Sequence, residues 1–164
     1  MSLLLMAPRR YYRRSFKPKD KYSFENSLWT VNTSVIDNDP PVVDTNYSCQ
    51  AVQTIVPSTS VRGMRKVKHI TFTISGSADC LFAIVYVPIG TSPNYLAAIA
   101  YPDTIYEPSQ FVMMCGQIES SAGPNRVRCP LARNLNEGDQ IVLLLANSSA
   151  VQTYYITATY AISF

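Results

Sequence analysis

The residues best suited to chemistry lie near the start of the chain, where arginine is interleaved with aromatic side chains. Residues 7–21 read APRRYYRRSFKPKDK. An arginine guanidinium is a planar fork that pairs with phosphate, and an aromatic ring offers a face on which an unpaired base stacks. We therefore predict that this segment binds single-stranded nucleic acid through Arg9, Arg10, Tyr11, Tyr12, Arg13, Arg14, Phe16, Lys17, Lys19 and Lys21. The same residues would also serve as a nuclear-import signal.

A second group of cations leads into a strand-like run. Its members are Arg62, Arg65, Lys66 and Lys68. Alternation along a strand would place Lys66 and Lys68 on one face and Val67 on the other. These cations either extend a nucleic-acid surface or include lysines that protect an edge strand from aggregation, and the pattern leaves both open. His69 follows them, and we interpret it as a strand-surface residue rather than a general base.

Signatures of enzyme and metal chemistry are missing from the sequence. There is no phosphate-binding glycine loop, no dinucleotide fingerprint and no nucleophile elbow. The cysteines, Cys49, Cys80, Cys115 and Cys129, form no C-x-x-C pair, which favours buried free thiols. Asp37, Asp39 and Asp44 offer oxygen ligands for Ca²⁺, but an acidic turn is the simpler interpretation. We predict a protein that is not an enzyme and uses no cofactor or metal.

Charge is distributed unevenly along the chain. Residues 1–21 hold seven basic residues and one acidic residue, giving +6, whereas residues 22–164 hold seven basic and ten acidic residues, giving −3. The basic segment has no apolar period and contains Pro8 and Pro18, so we expect a disordered arm over 1–21. Residues 22–164 would form one domain. No apolar run approaches the roughly 18 residues of a membrane span, and we expect no membrane partner.

The remainder of the chain reads as a series of strands separated by turns. The predicted strands are Leu28–Ile36, Cys49–Val56, Lys66–Ser75, Leu81–Val87, Phe111–Ile118, Asn125–Leu131, Ile141–Ala146 and Thr153–Phe164. The runs Leu81–Val87 and Ile141–Ala146 are apolar throughout, which predicts burial on both faces. Because no long helices alternate with these strands, two packed antiparallel sheets are expected. The predicted fold is all-β, a single eight-stranded antiparallel jelly-roll sandwich with a disordered basic N-terminal arm.

One long connection, Thr91–Gln110, carries three tyrosines and few charges. Exposed tyrosines in an uncharged loop are unfavourable for a monomer and common in the core of an interface. We therefore predict that Tyr95, Tyr101 and Tyr106 lie in a contact between subunits.

Several segments together resemble a known family. They read MAPRRYYRR at 6–14, KVKHITF at 66–72, LFAIVYVPIG at 81–90, YEPSQ at 106–110 and LARNLNEGD at 131–139. In this order, over nearly the full length, the chain resembles the capsid proteins of small circular Rep-encoding single-stranded DNA viruses, the circovirus-like group. The arm is shorter and less charged than the long arginine-rich arms of true circoviruses, so other cations would have to help neutralise a genome.

The resemblance implies a jelly roll that assembles into an icosahedral shell of sixty copies, with the arms facing inward onto circular single-stranded DNA. The implied partners are other copies of the chain, the DNA genome, the host nuclear import machinery and a host receptor of unknown identity. The implied locations are the virion and, during assembly, the host nucleus. The alternative is a cellular single-stranded nucleic-acid-binding β-barrel protein with a basic tail. Such a protein would carry cations and aromatic residues on its folded sheet, and the charge of −3 on residues 22–164 counts against it.

Overall fold

Strands dominate the structure, a computed structural model that describes residues 22–35, 49–93, 111–147 and 151–163. These residues form β1 Ser23–Asn32, β2 Ser34–Val35, β3 Cys49–Val56, β4 Arg65–Gly76, β5 Cys80–Val87, β6 Phe111–Ile118, β7 Asn125–Arg128, β8 Arg133–Leu135, β9 Gln140–Asn147 and β10 Thr153–Ser163. A 3-10 turn at Ser120–Ala122 is the one helical element among them. The prediction of an all-β protein is confirmed. The predicted arm, the acidic turn and the three loop tyrosines lie outside the described residues.

The strands form two antiparallel sheets. In the first sheet the order is β1-β10-β4-β7, and β8 pairs with β4 on the same side as β7. In the second sheet the order is β2-β3-β9-β5-β6. The prediction of two packed antiparallel sheets is confirmed. β4 has neighbours on both sides, so the interpretation of its lysines as protection for an edge strand is wrong.

The core lies between the sheets and follows from the two-residue period of the strands. In β10, Tyr154, Ile156 and Ala158 are buried, while the intervening Tyr155 and Thr157 are exposed. Phe72 of β4 meets Phe82 of β5 across the core, with ring centroids 5.3 Å apart in an edge-to-face arrangement. Burying an aromatic or large aliphatic side chain contributes roughly 1.5–3 kcal/mol, so these contacts hold the sheets together.

The central strands of the second sheet, β5 and β9, are apolar on both faces. Phe82, Ile84, Leu143 and Leu145 face the core between the sheets. The opposite face carries a second buried cluster, formed by Ala83, Val85, Val87, Val142, Leu144 and Ala146. The prediction that both runs are buried on both faces is confirmed.

Asp139, which is only 2% exposed, organises one end of the sandwich. Its carboxylate accepts hydrogen bonds from the Tyr86 hydroxyl at 2.8 Å, the Ile89 N–H at 3.1 Å and the Asn136 N–H at 2.8 Å. Burial alone would raise the pKa of Asp139, but these hydrogen bonds favour the ionised form and hold the pKa below its usual value. One carboxylate thereby joins the ends of β5 and β8 to the start of β9.

The described residues form ten strands where eight were predicted for the chain. The predicted strand Asn125–Leu131 ends at Arg128, and pairing with β4 resumes in β8 at Arg133. Pro130 lies in the interruption, where it offers no N–H to the ladder. The short β2, Ser34–Val35, also accounts for part of the first predicted run.

The prediction of buried free thiols is confirmed for three cysteines and is wrong for Cys115. All four thiols are free; Cys49, Cys80 and Cys129 are buried, and Cys115 is exposed. Burial raises the pKa of Cys80 to about 12, so that this thiol is protonated at neutral pH. Cys115 differs because it lies on β6, the edge of the second sheet.

Candidate nucleic-acid interface

The outer face of the first sheet gathers cations from two strands. We call this surface the basic face and define its cations as Lys66, Lys68, Arg126 and Arg128. Arg126 and Arg128 of β7 lie opposite Thr73 and Thr71 of β4. Residues paired across antiparallel strands share a face. The threonines pair in turn with Thr157 and Thr159 of β10, so these side chains form rows across the sheet.

A β-bulge in β4 shapes this face. Thr71 pairs with Thr159 and Lys68 with Ala161, so His69 and Ile70 together face one residue of β10. His69 adopts a φ of 56°, an uncommon value for a residue other than glycine. The extra residue leaves Lys68 partly exposed and His69 exposed, while Ile70 remains buried. The prediction that Lys66 and Lys68 lie opposite Val67, and that His69 is a strand-surface residue, is confirmed.

Within the described strands of the first sheet, no carboxylate shares the basic face. Glu25, the acidic residue of β1, pairs with the buried Tyr160 and therefore belongs to the opposite face. Lys66, Arg126 and Arg128 form no ion pair in the part of the chain that the structure describes. The face thus presents uncompensated positive charge, the electrostatic requirement for binding a polyanion.

Apolar and aromatic groups accompany the cations. Phe24 is 58%, Leu28 74% and Tyr155 57% exposed on this same face. The ammonium of Lys68 lies 5.0 Å from the centre of the Tyr22 ring. Exposed rings beside cations suit a single-stranded nucleic acid, because bases stack on the rings while phosphates bind the cations.

The predicted second group of cations divides into three environments. Lys66 and Lys68 lie on the basic face, and Arg62 is exposed in the loop before β4, beyond the end of the sheet. Arg65 is only 6% exposed, and its guanidinium donates to the carbonyls of Pro57 at 3.0 Å and Asp139 at 3.1 Å. A contact between Arg65 and nucleic acid does not fit this burial. We assign Arg65 a structural role, in which it joins the loop before β4 to the start of β9.

Sequence reasoning missed Arg126 and Arg128, although a signal for them exists. The run Arg126-Val127-Arg128 alternates charged and apolar residues, as Lys66-Val67-Lys68 does. Alternation alone predicts that the two arginines share a face. It does not predict that this face continues into that of β4, which depends on strand pairing.

Comparison with known proteins leaves the chain without a family assignment, because neither the models of protein families nor the curated proteins include a match. Within the described ranges, no group of His, Cys, Asp or Glu side chains is arranged to hold a metal ion. No helix in those ranges is long and apolar enough to cross a membrane.

Proposed function

We propose that this chain is the coat protein of a small circular Rep-encoding single-stranded DNA virus. It is a non-enzymatic building block that assembles into an icosahedral shell of sixty copies. The basic face and the Arg/Tyr-rich arm together hold the packaged DNA, and the arm also directs the protein to the host nucleus.

The observation that carries this proposal is the outer face of the first sheet, where the described strands place cations and no carboxylate. Four cations lie there on a fold whose residues 22–164 carry a net charge of −3. Four of the seven cations of residues 22–164 are therefore gathered on one surface, as expected of a building block with one side toward nucleic acid. The face also supplies cations that a short arm lacks. Its four cations and the arm's net charge of +6 together give each copy about ten positive charges. These charges would neutralise about ten phosphates of the DNA.

We also infer that the sandwich is a jelly roll, which packs two sheets built from two Greek keys. If the short strands β2 and β8 are set aside, eight strands remain in two sheets of four. The first and last strands, β1 and β10, lie side by side, as in a chain that folds back on itself. This strand order supports the jelly-roll architecture implied by the family resemblance.

A cellular single-stranded nucleic-acid-binding protein is the second candidate, and one observation favours it. Cations and exposed rings such as Phe24 and Tyr155 lie on a folded sheet, where such a protein uses them. The OB-fold, however, is a five-stranded and partly open barrel. The described strands here form two separate sheets of five, which fits a sandwich better.

Assembly distinguishes the two candidates. Sixty copies of an 18.3 kDa chain amount to about 1.1 MDa, so purified full-length protein should elute near that mass and appear as uniform shells in electron micrographs. Nuclease treatment followed by an absorbance ratio then measures the protected DNA. A monodisperse monomer that binds oligonucleotides would contradict the coat-protein proposal and favour the cellular protein.

The loop tyrosines provide a matched test of the proposed subunit contact. Tyr101→Asp should give folded, unassembled protein, because a carboxylate buried without a partner costs several kcal/mol at every copy of the contact. Tyr101→Phe keeps the ring and should assemble. Circular dichroism monitors the fold and sedimentation the assembly. Normal shells from the Asp variant would place the subunit contacts elsewhere.

Deleting residues 1–21 distinguishes the contribution of the arm to DNA binding from that of the basic face. The deletion removes a net charge of +6 and leaves the described strands intact, so shells should form with much less DNA. DNA content equal to that of the full chain would contradict the proposed role of the arm.

A further inference from the structure

Two adjoining cavities open beside the basic face. The first, of about 270 Å³, has a mostly apolar lining: Tyr86, Phe111, Val112, Met113, Leu131, Ala132 and Arg133. The second, of about 480 Å³, has a polar lining that includes Lys66, Asn134 and Asn136. Tyr86, Ala132 and Arg133 line both cavities, so we treat them as one cleft and call it the Arg133 cleft.

Arg133 packs against one aromatic ring and lies beside a second. Its guanidinium carbon lies 4.1 Å from the centre of the Tyr86 ring and 5.7 Å from that of Phe111. The two rings are themselves 5.6 Å apart at an interplanar angle of 67°. The Tyr86 hydroxyl donates to the buried Asp139, which fixes the ring on which the guanidinium rests. The geometry of the cleft is therefore set before any ligand arrives.

The cations of the cleft have no carboxylate partner among the described residues. Across the described residues, neither Arg133 nor Lys66 forms an ion pair. Asp139 anchors Tyr86 at the wall of the cleft, and its carboxylate is occupied by hydrogen bonds from Tyr86, Ile89 and Asn136. An anionic group is the ligand that these two cations would bind, and the guanidinium favours a phosphate or carboxylate with paired oxygens.

The apolar part of the cleft suits a flat apolar group. Phe111 is 53% and Leu131 49% exposed at its wall, which leaves a ring and an aliphatic side chain open to contact. A base that stacks on Phe111 would lie beside the guanidinium plane, which also stacks on bases. The exposed amides of Asn134 and Asn136 offer hydrogen bonds to base edges or sugar hydroxyls.

We propose that the Arg133 cleft binds one nucleotide, with its base against Phe111 and its phosphate on Arg133, while Lys66 lines the outer side of the same cleft. The inference rests on the proposed function, because the main ligand is a nucleotide that belongs to a bound single strand. Lys66 belongs to the basic face and also lines the cleft, whereas Arg133 pairs with the buried Val67 and therefore lies on the inward side of β8. A nucleic-acid strand that crosses the basic face and passes over β8 can therefore place one nucleotide in the cleft.

The test compares full-length protein with Phe111→Ala in fluorescence anisotropy, using labelled oligothymidylate and a strand of equal length that lacks all bases. Loss of stacking should weaken oligothymidylate binding about 5-fold to 150-fold and leave the abasic strand unaffected. Val61→Ala, which shortens an exposed apolar side chain outside the cleft, should change neither. As a second variant, Arg133→Gln should lower the salt slope by about 0.7, the contribution of one phosphate contact.

Each result decides between the cleft and the wider function. If the protein binds oligothymidylate but Phe111→Ala and Arg133→Gln leave binding unchanged, the cleft proposal is overturned and the nucleic-acid role stands. If only thymidine monophosphate binds, in a manner sensitive to Phe111→Ala, the cleft stands as a site for free nucleotides and the packaging role fails. If a glutamate-rich peptide displaces the ligand as well as oligothymidylate does, the site is one for an acidic partner. Binding of neither nucleotide form overturns both proposals.

Discussion

The charges of β7 provide a quantitative test of the basic face. Arg126 and Arg128 are exposed, and within the described part of the chain neither forms an ion pair. Replacing both with glutamine removes two positive charges without disturbing the core. Surface substitutions of this kind usually change the free energy of unfolding by no more than about 0.5 kcal/mol. Arg126→Gln/Arg128→Gln should therefore fold as the parent chain does, which circular dichroism can verify.

The expected effect appears in the salt dependence of binding. For a single strand, each phosphate contact contributes about 0.7 to the slope of log affinity against log salt concentration, so two lost contacts should lower the slope by about 1.4. Over a fourfold rise in salt, from about 50 to 200 mM, the parent should lose about sevenfold more affinity than the variant. Fluorescence anisotropy of a labelled single strand measures both slopes in the full-length protein.

The matched control keeps the charge at the same two positions. Arg126→Lys/Arg128→Lys should retain the slope of the parent, because the slope counts neutralised phosphates and not the shape of the cation. An unchanged slope in the glutamine variant would refute the assignment of the basic face and leave binding to other cations. An equal loss in the lysine variant would show that the guanidinium geometry, and not the charge, is what the face contributes.

Three further predictions concern the framework. Asp139→Ala should lower the free energy of unfolding at pH 7 by about 3 kcal/mol in chemical denaturation, because it leaves buried donors unpaired. Glu137→Ala, at an exposed position two residues earlier, should have little effect. Because the folded-state pKa of Asp139 is depressed, its stabilisation is present above the ordinary value of 3.8 and is lost as the pH falls through the folded pKa, so the Ala variant and the parent should converge in acid. Gly76→Ala should lower stability by about 1–3 kcal/mol and depress the melting temperature, because the new methyl group would overlap the buried Tyr154 ring. A thiol reagent should modify Cys115 rapidly in the unassembled native chain and the other cysteines only after denaturation; rapid native labelling of more than one thiol would contradict the burial pattern.

Local patterns in the sequence predicted the strands and the faces that they bury. Cys49–Val56 and Phe111–Ile118 have the bounds predicted for them, and the apolar runs within β5 and β9 are buried on both faces. These features depend on the two-residue period and on strand-forming residues, which act over a few neighbouring positions. The turn residues in the sequence did not predict the interruption at Pro130. A short break there separates β7 from β8.

The sequence by itself determined the class of fold, the segregation of charge between residues 1–21 and 22–164, and the alternation that points Lys66 and Lys68 to one side. Tertiary structure decided which cations act together. The pairing of β4 with β7 brings Arg126 and Arg128 to the face of the two lysines. Arg65, which we grouped with the lysines, lies on the side of Val67 and is buried with a hydrogen bond to the Asp139 carbonyl. The physical reason is that side-chain alternation is a local property of the backbone. Strand pairing and burial depend instead on contacts between residues far apart in the chain, which no local period records.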